Sequence, residues 1–95
     1  MKVEQQQSGQ DGSFYIQNEG HRIAESRYMV TGDDIMDIYH TEVSENFQGQ
    51  HLGDDLIKSA VEFAREHNLK IAPSCSFAQA MFGRHPEFRD VQAKS

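Results

Sequence analysis

Between two apolar, regularly spaced segments the chain reads Gln48-Gly49-Gln50-His51-Leu52-Gly53. Glycine adopts backbone angles that other residues resist and lets a ligand approach the main chain closely. The first N–H groups of a following helix have no intrahelical partner and point at whatever lies ahead of them. A strand, a glycine-containing turn and a helix, in that order, can hold a phosphate or pyrophosphate. The stretch is not a Walker loop, because no Gly-Lys-Ser/Thr ends it, and it is not a dinucleotide fingerprint. A tight strand–helix turn that uses glycine only for packing accounts for the same residues. On the motif alone both readings stand.

The elements around the turn follow from periodicity. After it, Leu52, Leu56, Ala60, Phe63 and Ala64 recur at three- and four-residue steps with Ile57 and Val61 beside them. That spacing predicts an amphipathic helix from about Leu52 to His67, with Asn68 as its stop. Asp54 and Asp55 fall in its first turn and Arg65 and His67 in its last, matching the helix dipole. Before the turn three strands are expected: one at Phe14-Tyr15-Ile16, one over His21 to Val30, and one over Ile35 to Val43. Asn18-Glu19-Gly20 and Thr31-Gly32-Asp33-Asp34 separate them. In the third strand Ile35, Tyr39 and Val43 alternate against Met36 and Ile38, so both faces carry apolar residues and the strand should be central and covered on both sides. Leu69 to Pro73 predicts a fourth strand whose proline marks a sheet edge or opening. Ser76 is a candidate cap for a short helix from Phe77 to Phe82, ended by Arg84-His85-Pro86. The fold class expected is α+β: a mostly antiparallel sheet of about four strands, the last parallel to the third, with one long and one short C-terminal helix.

Composition bounds the rest. Ninety-five residues leave room for one domain, assigned to residues 14–95, with Met1 to Ser13 expected to be a largely flexible arm in which Lys2 to Gln5 are able to pair at a sheet edge. Nine Lys and Arg against fifteen Asp and Glu give a formal charge of −6, which argues against nucleic acid and anionic lipid as partners. No apolar run approaches the length of a membrane span. The N-terminus lacks the apolar middle of a signal peptide, so a cytoplasmic location is expected. Cys75 is the one cysteine, which excludes an internal disulfide. His21, His67 and His85 form no ligand-spaced cluster, so no metal site is expected.

Several segments, in order, resemble one family. The turn is similar to the acyl-CoA-binding motif of the Gcn5-related N-acetyltransferases, Gln/Arg-x-x-Gly-x-Gly/Ala. His40-Thr41-Glu42-Val43, Gln48-Gly49-Gln50, Leu52-Gly53, Ile71-x-Pro73-x-Cys75-Ser76-Phe77 and Phe82-x-Arg84-His85-Pro86-Glu87 together resemble its small YjdJ-like subfamily. The resemblance runs from Phe14 to about Asp90. It implies a truncated acetyltransferase fold without the early helices of larger members, with acetyl-CoA as acyl donor. It further implies that the backbone around Glu42 and Val43 meets the acyl and pantetheine part. The amides of Gln48, Gly49, Gln50, His51, Leu52 and Gly53 would cradle the pyrophosphate, with Cys75 and Phe77 near the thioester where the parallel strands part. His51 stands where the family pattern has glycine, and Asp54-Asp55 where basic residues are common.

Three residues are candidates for catalysis. His40 and Glu42 alternate onto one face of the third strand, where either is able to take a proton from an incoming amine. A histidine held by core hydrogen bonds and a solvated strand-end acid are the plainer accounts of the pair. Cys75 is either a thiol beside the thioester or a small buried hydrophobe at a strand end. The function expected is an N-acetyltransferase acting on an unidentified amine, small molecule or protein. The alternative is a non-catalytic module of the same fold that binds CoA weakly and acts through a protein partner.

Overall fold

The computed structural model describes residues 2–94. Its centre is a five-stranded sheet in the order β1 (Glu4–Ser8), β2 (Asp11–Asn18), β3 (His21–Val30), β4 (Ile35–Val43), β5 (Lys70–Pro73). The first four strands form an antiparallel meander, and β5 lies parallel to β4. A parallel neighbour requires a crossover. Helix α1 (Leu52–Glu66) supplies it, and helix α2 (Ser76–Arg84) follows β5. The expected α+β class and the parallel last pair are observed. The strand count is five rather than four.

The additional strand lies where a flexible arm was expected. Tyr28 is fully buried, and a buried phenol needs hydrogen-bond partners. Gln5 Nε2 donates to its oxygen at 2.8 Å, and the hydroxyl donates to Gln7 Oε1 at 3.1 Å. Gly12 makes room for the ring, since a Cβ there would lie 2.3 Å from Tyr28 Cζ. The glutamines are thus ordered by a core tyrosine on β3 rather than by any pattern of their own.

Helix α1 buries Leu56, Ile57, Ala60, Val61 and Ala64 against Phe14, Ile16, Ala24, Tyr28, Met36 and Ile38 of the sheet. Each large aliphatic side chain so buried contributes about 1.5–3 kcal/mol. The helix stops where left-handed Asn68 (φ 55°) turns the chain and Leu69 N–H donates back to Ala64 O at 2.9 Å.

Only one face of the sheet is covered in this way. Tyr39 is 45% exposed, which corrects the expectation of a strand buried on both sides. The cause is a bulge in β4. Arg27 pairs with His40 but Tyr28 pairs with Ile38, so Tyr39 is an extra residue and the alternation reverses across it. Met36 and Ile38 face the core before the bulge; Thr41 and Val43 lie on that face after it, cross-strand from Ser26 and Ala24. Tyr39, His40 and Glu42 are left exposed.

The C-terminal segment closes the α1–β5 side. A 3₁₀ segment over Pro86–Val91 buries Phe88 and Val91, and Ala93 N–H donates to Ile71 O at 2.8 Å. Arg65 of α1 grips Asp90 in bidentate fashion, both N···O distances 2.9 Å, and donates to Glu87 O at 2.8 Å. The Arg65 hydrogen bond holds the Asp90 carboxyl below the usual carboxylate range, and Asp90 in turn pushes Arg65 up. A carboxyl with a lowered native value stabilises the fold above its unfolded value of 3.8 and loses that contribution as pH falls through the native value. Asp90→Asn should therefore lower the thermal midpoint near neutral pH. The gap to the parent should close as pH drops below about 4 and narrow with added salt. Paired thermal scans across pH check this; a gap that persists at low pH would place the effect in packing.

Candidate functional site

Strands β4 and β5 pair from Ile35·Lys70 to Ile38·Pro73 and then part. Pro73 ends β5, and the amides of Ser74 and Cys75 both donate to Ile38 O, at 3.0 and 3.1 Å. Beyond that point β4 runs on to Val43 without a strand neighbour on the β5 side among the described residues. Ser44 N–H donates to Ile23 O at 2.6 Å, which sets the hydrogen-bonding phase of β4 against β3. Antiparallel pairs alternate between bonded and non-bonded, so the main-chain groups of Thr41 and Val43 turn away from β3 into the gap. Val43 O accepts from Gln48 Nε2 there, at 3.3 Å. The backbone around Glu42 and Val43 thus offers its free amides at Thr41 and Val43.

A cleft of about 370 Å³ fills the gap. Of the residues singled out from the sequence, Glu42, Val43, Gln48, Gly49, His51, Leu52, Gly53 and Phe77 line it. Gln50 belongs to the same turn and is exposed, but it does not line the cleft. His40 stands outside on the open face of the sheet, its Nε2 3.5 Å from Glu42 Oε2. Cys75 adjoins the cleft through Thr41: its Sγ lies 3.5 Å from Thr41 Oγ1, which in turn lies 2.9 Å from Ser26 Oγ. Cys75, not Ser76, is the N-cap of α2, its sulfur accepting from Ala78 N–H at 3.4 Å.

The turn has the geometry that suits close approach. Gly49 is left-handed (φ 86°), and so is His51 (φ 61°, ψ 26°), the N-cap of α1. A non-glycine residue in that region costs about 1–2 kcal/mol. His51 makes no side-chain cap, and Asp55 N–H to His51 O is the first helical bond, so the amides of Leu52, Gly53 and Asp54 face forward uncapped. Gly53 is required by packing: a Cβ there would lie 2.6 Å from Phe77 Cζ.

Charge in the cleft is mixed. Glu42 and Asp54 are acidic, and the His51 ring stands 3.8 Å from Asp54 Oδ2. The cation is Arg84, at the end of α2, which sequence reasoning did not assign to the site. Thr41 and Phe47 were also missed. Arg84 lies thirty-one residues beyond Gly53 and reaches the cleft only because α2 packs back on α1. A cleft with free strand amides, an uncapped helix start, a left-handed glycine and an arginine suits an extended ligand with an amide-bearing arm and an anionic group.

Comparison with known proteins bears on the family and the fold. Residues 13–91 match the family model described as GCN5-related N-acetyl-transferase. Protein NATD1 of Danio rerio is 32% identical over 69 residues, covering 73% of this chain and 63% of that protein. The chain spans less than two thirds of the length of the curated relatives it matches. A GCN5-like protein from Staphylococcus aureus, solved in solution, is 39% identical with a TM-score of 0.75, covering 97% of this chain and 89% of that one. A GNAT family acetyltransferase from Elizabethkingia anophelis with acetyl-CoA bound shares the fold, at 19% identity and a TM-score of 0.60 over 80% of this chain and 52% of that one.

Two substitutions in the turn should move stability in opposite directions. His51→Gly relieves the left-handed angle and should raise stability by up to about 1 kcal/mol. Gly53→Ala gains helix propensity of about 1 kcal/mol but forces the Phe77 ring aside, at an overpacking cost of about 1–3 kcal/mol, for a net loss. Urea midpoints check both, with Phe77 ring resonances reporting the displacement.

Proposed function

Because this chain belongs to the GCN5-related N-acetyltransferase family, we propose that it moves an acetyl group from acetyl-CoA to an amine. The parting of β4 from β5 beside an uncapped helix start is the observation that carries this reading. Within the family we place the chain in the small YjdJ-like subfamily, on the segments from His40 to Glu87 quoted above. The amides of Thr41 and Val43 hold the acyl carbonyl and the pantetheine arm, as a preorganised pair of donors does. The turn from Gln48 to Gly53 and the Arg84 guanidinium hold the pyrophosphate. Phe77 forms an apolar wall of the cleft. Acetyl-CoA supplies an acyl group activated as a thioester, whose carbonyl carbon bonds the amine nitrogen as the carbon–sulfur bond breaks and CoA leaves as thiolate. The His40 imidazole takes the proton from the amine, with Glu42 Oε2 3.5 Å from its Nε2. Cys75 borders the reacting carbon, its sulfur held by Thr41 and the Ala78 amide.

Titration with CoA, followed by amide shifts, should perturb Gly49 to Leu56 more than any other segment. Gly49→Val should weaken binding by about tenfold or more, since valine resists the left-handed angle that Gly49 adopts. Saturating CoA should also slow alkylation of Cys75. Unchanged affinity in a folded Gly49→Val variant would remove the turn from the site.

The acetyl-transfer step has its own test. His40→Gln should lower kcat by about a hundredfold with CoA affinity unchanged. Loss of affinity instead would make His40 part of the binding surface.

A further inference from the structure

The gap between β4 and β5 opens to both faces of the sheet, and the two sides differ. On the α1 side stand the turn, the helix start and Arg84. On the other side are His40 and Glu42, both exposed. From there a track crosses the open face. A shallow hollow shares Glu42 and Val43 with the cleft, and shares Arg22 and Glu25 with a groove of about 270 Å³ that reaches Arg27 and Tyr39.

The charges along this track are ordered. Glu42 stands at the mouth. Opposite it on β3 is Glu25, only 9% exposed, between two guanidiniums: Arg22 Nη1 at 2.8 Å and Arg27 Nε at 3.5 Å. Arg22 is fully engaged, for it also donates to Gln6 Oε1 and lies over the Tyr15 ring at 3.8 Å from its centroid. Arg27 is not. Its side chain is 53% exposed, and its two terminal nitrogens have no hydrogen-bond partner among the described residues. Two arginines share the one Glu25 carboxylate, and Arg27 is the one that keeps donors free. Asp11 is the acid at the far end of the groove. Arg27 is the diagonal neighbour of Glu42 across β3 and β4, a separation of about 7–8 Å.

We infer that the acceptor is an amine that also carries a carboxylate, with its nitrogen at Glu42 and His40 and its carboxylate on the free edge of the Arg27 guanidinium. The inference rests on the acetyl-transfer reading above and gives it a substrate class. A planar guanidinium with two unused donors suits a carboxylate. The acid at the mouth suits the ammonium form in which such an amine arrives.

Three probes with the same four-carbon frame test it: γ-aminobutyrate, its carboxamide, and putrescine. With acetyl-CoA, γ-aminobutyrate should show a kcat/KM about fivefold above the carboxamide and above putrescine, the scale of one partly exposed charge pair. Arg27→Gln should erase that preference, Arg27→Lys should keep part of it, and both should bind CoA as the parent does. In CoA-saturated protein, γ-aminobutyrate but not its carboxamide should shift the amides of Arg27 and Glu42, a readout that does not depend on turnover. Equal or better use of putrescine or the carboxamide, or a preference that survives Arg27→Gln, would overturn the substrate class. Titrations of CoA-saturated protein in which the acid and the carboxamide behave alike would do the same. If CoA itself leaves Gly49 to Leu56 unshifted, the acetyl-transfer reading fails and takes this inference with it.

Discussion

Strand β4 is held along its whole length by β3 but by β5 along only its first half. That mismatch organises the molecule. Ile38 O is the last group shared with the β5 side, and it takes two amides, Ser74 and Cys75, as the strands part. A main chain that leaves a sheet neighbour must find other partners for its polar groups or leave them to solvent and ligand. The extra residue at Tyr39 shifts the phase of β4 just before this point. The groups that come free at Thr41 and Val43 therefore point into the gap rather than back to β3. Every other part of the cleft is placed relative to this parting. Helix α1 starts beside it because the crossover from β4 to a parallel β5 begins there, and α2 starts beside it because β5 ends there.

The backbone of the site is settled by topology, while its charge is settled by side chains from separate segments. Glu42, Asp54 and Arg84 come from β4, α1 and α2, and they meet only after all three have packed. The family resemblance concerns mainly the first kind of feature, the strand, turn and helix. The second kind distinguishes one member from another. The left-handed His51 belongs to both, since its backbone fills a position suited to glycine while its ring stands near Asp54. The strain of that angle is balanced by the helix and strand it connects.

Much of this was legible in the sequence because it depends on local period. The three- and four-residue spacing from Leu52 to Ala64 marks α1, and Asn18 and Gly20 mark the first hairpin, although Glu19 rather than Asn18 takes the left-handed angle beside Gly20. The parallel pairing of β5 follows from a strand, helix and strand in succession. The rest depends on partners distant in the chain. A run of glutamines carries no signal of its own, and only the buried Tyr28 phenol, twenty-three residues from Gln5, makes a strand of it. A one-residue bulge is invisible to alternation rules, which is why Tyr39 was assigned to a covered face. Arg84 was visible as a residue but not as a neighbour of the turn.

The same glutamine strand has a consequence at the border of the sheet. An outer strand presents a row of unpaired main-chain groups that another chain is able to copy. Here that row belongs to Glu4–Ser8, which is short, free of large apolar side chains and mostly exposed. The next strand inward, β2, holds Phe14 and Ile16 in the core and would be a far stickier border. By recruiting a polar strand with two hydrogen bonds to one tyrosine, the fold finishes its sheet with a margin that offers a passing chain little to adhere to.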